Sequence, residues 1–201
     1  MQPHQRLRHN FAKLKKEIES GHPAAAILLG YRLVRRFPEF GPGWLFLGQQ
    51  LCELARYEEA EGALLRALEL MAKENRWGVL KLLGDLFREA GNYAKSADWY
   101  RKQTEEFPHD ATGYIMLGAV LAKSGQFDEA ATMHRRGTQC EIGAIDEAHL
   151  NLGLVLRAQE RFSEAAECFR EAIRRDHDYE DAKVALCDVE LCLKLFPKRS
   201  I

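Results

Sequence analysis

The side chains that could carry chemistry are a few histidines, five cysteines and many carboxylates, and their spacing limits what they can do. The cysteines are Cys52, Cys140, Cys168, Cys187 and Cys192. Their number is odd and no two stand in CxxC spacing, so neither a disulfide framework nor a zinc ribbon is expected. They read as reduced, small apolar fillers. His134 and His149 stand where the chain's own pattern calls for large apolar residues. One reading makes them a metal or pH-sensing site with Cys140; the other is an imidazole filling an aromatic slot in a core. Zinc ligands usually crowd onto one turn, which this spacing does not offer. There is no GxSxG, HExxH, glycine-rich phosphate loop or EF-hand loop. The glutamates fall on faces expected to be solvated, and no pair of them is singled out for acid–base work. The expectation is a chain that is not an enzyme and holds no metal or cofactor. Its mode of action is then binding.

Composition and charge narrow the kind of binding. Of 201 residues, 46% are hydrophobic, which excludes wholesale disorder and suits one domain or one repeat array. No apolar run approaches the ~18 residues of a spanning helix, and the stretch from Ala24 to Val34 is broken by Gly30, Tyr31 and Arg32. Lysines and arginines run through the first 20 residues, where the apolar core of a secretory signal would lie, so a cytoplasmic protein is expected. Charge is uneven. Residues 1–36 hold eight Lys/Arg against Glu17 and Glu19, a net of +6, and the remainder carries −7. That polarity could orient the molecule on a charged partner, or could be a solvated face on a terminal helix. A chain of net charge −1 with no groove-entering or base-stacking motif is not expected to bind nucleic acid.

The elements that would position these residues are read from an internal repeat. Leu-Gly recurs at Gly48, Gly84, Gly118 and Gly153, at intervals of 36, 34 and 35 residues. Each pair has a bulky residue three before the Leu and an apolar residue three after the Gly. The sets are Trp44 and Leu51, Leu80 and Phe87, Tyr114 and Leu121, and His149 and Leu156. Offsets of three and four place these side chains on one helical face. A second helix follows each first one, marked by a small residue and a bulky one four later: Ala60 and Leu64, Ser96 and Tyr100, Ala130 and His134, Ala165 and Phe169. Gly91-Asn92 and Gly125-Gln126 stand at the turns between helices. Pro38 and Pro108 close second helices.

This pattern resembles the tetratricopeptide repeat, whose ~34-residue unit reads W-x2-L-G-x2-Y, then A-x3-F, then A and P. Units are placed at 41–76, 77–110, 111–145 and 146–179, with a degenerate unit at 7–40 built on Phe11, Leu14 and Ile18, then Gly21, Ala26 and Leu33. Residues 180–195 read as a C-terminal capping helix, with tails at 1–6 and 196–201. The expected fold is all-α, an α-solenoid of about five antiparallel helix pairs plus the capping helix, because a lone helix pair cannot bury its apolar face. The resemblance implies a right-handed superhelix whose first helices line a concave groove for a partner protein or peptide.

It also implies which residues face that groove: Leu45, Gln49, Cys52 and Glu53; Lys81, Asp85, Arg88 and Glu89; Ile115, Ala119 and Lys123; Leu150, Leu154 and Arg157. Packing on adjacent helices is the alternative for the apolar ones. The carboxylate clamp of chaperone-binding members is not supplied by three consecutive units. Asp85 follows Lys81, and Met116 stands where asparagine is needed, so no clamp ligand is expected. The capping helix carries Ala182, Ala185, Leu186, Val189 and Leu193 on one face and Val184, Cys187, Leu191 and Leu195 on the other. A helix apolar on both faces is normally buried on both. The second face reads as a contact with a second copy, giving a homodimer, or with a partner; folding back along the groove, or a merely apolar cap, is the alternative. An interaction scaffold, a self-assembling element and the regulatory subunit of an enzyme are the three functional readings.

Overall fold

The computed structural model describes residues 11–13, 16 and 22–195. These are helical hairpins throughout, apart from a single bridge between Asp110 and Ile142. Leu14, Ile18 and Gly21 of the degenerate unit, and the two tails, lie outside the described residues. The helices are α1 (Pro23–Arg36), α2 (Gly41–Glu53), α3 (Tyr57–Leu70), α4 (Trp77–Glu89), α5 (Tyr93–Glu106), α6 (Ala111–Lys123), α7 (Phe127–Gly137), α8 (Ile145–Ala158), α9 (Phe162–Arg175) and α10 (Glu180–Leu195). Two compact units result, one ending at Gly91 and one beginning at Asn92.

In the first unit α2 pairs with α3, α1 packs on α2, and α4 packs on α3. In the second, α6 pairs with α7 and α8 with α9, while α5 lies on α6 and α10 on α9. Each pair is held by one recurring close approach. A Cβ added at Gly48 of α2 would come within 2.7 Å of the Leu64 side chain on α3. At Gly118 it would meet the His134 ring at 2.5 Å, and at Gly153 the Phe169 ring at 2.4 Å. The glycine of these three Leu-Gly pairs therefore leaves the space that the bulky residue of the second helix fills. Around that contact, Leu152, Val155 and Leu156 of α8 bury against Ala165, Ala166, Phe169 and Ala172 of α9. These positions recur at the three- and four-residue spacing of one helical face.

Two local features differ from the plain repeat. Trp44 is only half-buried, and its ring N–H donates to the Pro38 carbonyl at 2.7 Å, so it ties down the connection from α1 as much as it fills the core. The connection from α7 to α8 is longer than the repeat requires, and it lies against the start of α6. There the Ala111 N–H donates to the Ile142 carbonyl at 2.9 Å, and the N–H groups of Glu141 and Ile142 both donate to the His109 carbonyl.

α10 buries Ala182, Ala185 and Val189 against the second unit. Its other face stays open: Val184 is 69% exposed, Leu191 54% and Leu195 63%, and Cys187 is exposed as well.

The turns between paired helices explain a further pattern. Gly91 and Gly125 have φ of +76° and +79°. The equivalent turn residues elsewhere are Ala55 at φ 55° and Glu160 at φ 60°. A side chain in the left-handed region costs roughly 1 kcal/mol. Ala55→Gly and Glu160→Gly should each raise the melting temperature by about 2–4 °C. A fall in differential scanning calorimetry would show that the side chain's own contacts outweigh the backbone strain.

Candidate functional site

The side chains that the repeat places toward a groove come from the first helices, with α10 packed beside α8. In the first unit these are α2 and α4, which lie side by side. A cavity of about 340 Å3 opens there, lined in part by Gln49, Cys52 and Glu53 of α2 and by Asp85 and Glu89 of α4. Asp85 is nearly buried and takes both neighbouring cations on its own helix. Lys81 Nζ donates to Oδ2 at 2.6 Å and Arg88 Nη2 lies 2.9 Å from Oδ1. Lys81 and Arg88 are therefore not the free cations that a list of groove positions suggests. Cys52 sits in this acidic setting. Burial first, then the charges of Glu89, Asp85 and Glu53, push its thiol up to about 11, so it stays protonated and unreactive at neutral pH. Leu45 is half-buried and lines neither this cavity nor the one described next.

In the second unit α6, α8 and α10 form a row. A cavity of about 330 Å3 lies between α8 and α10, lined by Leu150, Leu154, Arg157, Asp181, Val184 and Ala185. Arg157 Nη1 donates to Asp188 Oδ2 at 3.0 Å, which bridges the two helices along one rim. The floor is apolar and the rim is a matched pair of charges. Leu150 is 7% exposed and contributes floor more than surface. Leu154 is half-buried and open to the cavity. On α6, Ala119 is half-buried, and Lys123 is exposed with its ammonium 5.9 Å from the centre of the Tyr93 ring. Ile115 is not surface at all. It is 2% exposed and packs with Ala111 and Ala148, so it joins α6 to α8.

The structure thus gathers Gln49 with Asp85 in one unit and Leu150, Leu154 and Arg157 in the other. The groove positions implied by the repeat leave out α10, whose Asp181 and Val184 line the cavity and whose Asp188 closes its rim; Val184 is read from the sequence only as part of a face for a second copy or a partner. The signal was present: a capping helix that takes the place of the next first helix must turn one flank toward the preceding one.

No group of three or more His, Cys, Asp or Glu side chains fit to hold a metal occurs among the described residues. His134 is 1% exposed, wedged against Gly118, with its Nδ1 unpartnered. Burial lowers its pKa to about 4. His149 is half-buried, and burial lowers its pKa too; the Glu171 carboxylate opposes this, while Arg175 and Arg174 add to it. No described helix is long and apolar enough to cross a membrane.

Models of the tetratricopeptide repeat match residues 146–179 and, overlapping one another, residues 47–111 and 82–137. The chain belongs to the tetratricopeptide repeat family. TPR repeats indicate a protein–protein interaction scaffold, and that is the coarse functional class of the family to which this chain belongs. Among solved structures it is similar to YrrB, described as a TPR protein with an unusual peptide-binding site. That match has a TM-score of 0.66 and 17% identity, covering 86% of this chain and 87% of the other. It is also similar to MamA from Desulfovibrio magneticus RS-1, with a TM-score of 0.71, 16% identity, and coverage of 86% and 96%. At such identities the likeness speaks for the fold alone. The CTR9 homolog of Arabidopsis thaliana is 29% identical over 143 residues. That stretch is 68% of this chain and 12% of that much longer protein.

His134 makes the TPR core pH-sensitive in a direction that can be worked out. Its folded pKa lies below the ordinary 6.5, so between those values the unfolded state binds more protons. The stability it contributes is complete above about pH 6.5 and falls as pH drops toward 4. At about 1.4 kcal/mol per unit, the loss is of order 3 kcal/mol. His134→Phe, which copies the Phe169 contact of the next hairpin, should flatten the decline in melting temperature between pH 7 and pH 5. An equally steep decline in that variant would place the acid sensitivity elsewhere.

Proposed function

We propose that the chain is a non-catalytic scaffold whose second unit holds a segment of a partner protein against α6, α8 and α10. The observation that carries this reading is the cavity between α8 and α10, where Leu154 and Val184 are open above an apolar floor and the Arg157–Asp188 pair closes one rim. Apolar side chains of a bound segment would enter the cavity, and its polar backbone would stay at the rim. That YrrB is described as having a peptide-binding site supports this use of the fold. Because Arg157, Lys81 and Arg88 are already paired, affinity would rest on apolar burial more than on attraction of an acidic segment. Leu154→Asp should abolish capture of the partner in a pull-down while leaving the melting temperature within about 2 °C of wild type, since the side chain is partly solvated. Full retention of every captured protein would remove the cavity as the binding site. Leu150→Asp is the wrong test, because that side chain is buried.

A second reading is favoured by a different observation. Val184, Leu191 and Leu195 form an exposed apolar stripe on α10, and such stripes usually mark interfaces. In this reading the stripe joins two copies. The stripe alone is narrow against the ~800 Å2 per partner of a stable interface, so the dimer would be weak. Leu191→Glu should lower the weight-average mass measured by light scattering at high concentration without altering helicity. A wild type that stays monomeric at all concentrations eliminates the dimer.

A further inference from the structure

Many of the described arginines are matched to carboxylates. Arg56 pairs with Glu59, Arg66 with Glu39 and Glu69, Arg101 with Asp98, Arg161 with Glu164, and Arg170 with Glu190. The end of α1 breaks this habit. Arg32, Arg35 and Arg36 are all exposed, and among the described residues no carboxylate lies within ion-pair distance of them or of Lys13. Arg36 has its guanidinium 5.9 Å from the centre of the Phe37 ring, a contact that leaves its charge uncancelled. Among the described residues, these four cations line one cavity of about 530 Å3 together with Leu29 and Leu33. No acidic residue stands among the lining residues described.

The helical segment that carries Lys13 is held in place. Phe11 meets Phe40 edge-on at 5.6 Å and Phe46 at 6.0 Å. The cations therefore surround a recess rather than sit on a loose end.

We propose that this recess is a second docking site, one that takes an acidic, leucine-bearing segment of a partner protein. Its carboxylates would engage Arg32, Arg35, Arg36 and Lys13, and one apolar side chain would rest on Leu29 and Leu33. Charge complementarity decides the class of ligand: four uncompensated cations need anions, and arginine forks match carboxylates two oxygens at a time. The apolar wall decides between anions. A single nucleic-acid strand is held by aromatic stacking as well as by cations, and no aromatic ring stands among the described residues that line this recess. A lipid surface is flat and is met by ridges, whereas these cations surround a hollow. The proposal is independent of the cavity between α8 and α10.

The test uses the full chain and a fluorescein-labelled peptide alternating Glu and Leu, followed by fluorescence anisotropy. The expected result is saturable binding that weakens as salt shortens the screening length from about 10 Å to about 3 Å. Arg32→Glu with Arg35→Glu should raise the dissociation constant by about tenfold or more, in line with the loss of charge-assisted hydrogen bonds. Arg174→Glu, remote from the recess and already paired with Glu171, should leave the constant unchanged. If the charge-reversed variant loses helicity, Arg32→Gln with Arg35→Gln carries the same expectation. The proposal is overturned if the variants bind as wild type does, or if the Gln-for-Glu peptide binds equally well. It is also overturned if an oligonucleotide or an anionic vesicle binds more tightly through the same arginines, or if the variants abolish self-association instead, which would make the occupant a second copy.

Discussion

Each hairpin depends on one steric fact, the absence of a side chain at the glycine of the Leu-Gly pair. Gly48, Gly118 and Gly153 let Leu64, His134 and Phe169 come so near that a methyl group would overlap them. Overpacking of this kind costs about 1–3 kcal/mol. The bulky residue can vary in chemistry, from aliphatic to imidazole to phenyl, because the requirement is volume at one place. That latitude is what admits a histidine to a dry core. The cost appears as an unpartnered Nδ1 and a lowered proton affinity.

The surface available for recognition is divided among several faces. They do not share one character. Between α2 and α4 the exposed groups are polar and acidic, and Asp85 absorbs the two cations beside it. Between α8 and α10 the floor is apolar and the charges are matched. At the end of α1 the charges are unmatched and all positive. A scaffold built this way can discriminate among segments by placing different chemistries along one chain. Most of its surface ion pairs join residues three or four apart on a single helix and contribute only a few tenths of a kcal/mol each. Their larger effect is to quench charge, so that an unquenched cluster stands out.

α10 has two roles that pull its sequence in different directions. It covers the last hairpin with small residues, Ala182, Ala185 and Val189. It also supplies a wall to the neighbouring cavity through Val184, and it leaves Leu191 and Leu195 in solvent. A helix that served only to end an array would carry polar residues there.

The sequence by itself determined the helical hairpins, the family and the close-packed positions, because a repeated period exposes helix faces and small residues without reference to anything distant. The register of Gly91 and Gly125 also falls on Glu160, whose backbone is left-handed. What only the tertiary structure decided is which inner-face residues remain surface. Ile115, Leu150 and Leu154 are all assigned to the groove by the repeat, yet neighbouring helices bury the first two and leave the third half open. The pairing of Arg157 with Asp188, 31 residues away, and the lack of any such partner at Arg32 and Arg35 were equally hidden. Charge balance is a property of distances between side chains on different helices, and those distances are set by packing that a one-dimensional period does not contain.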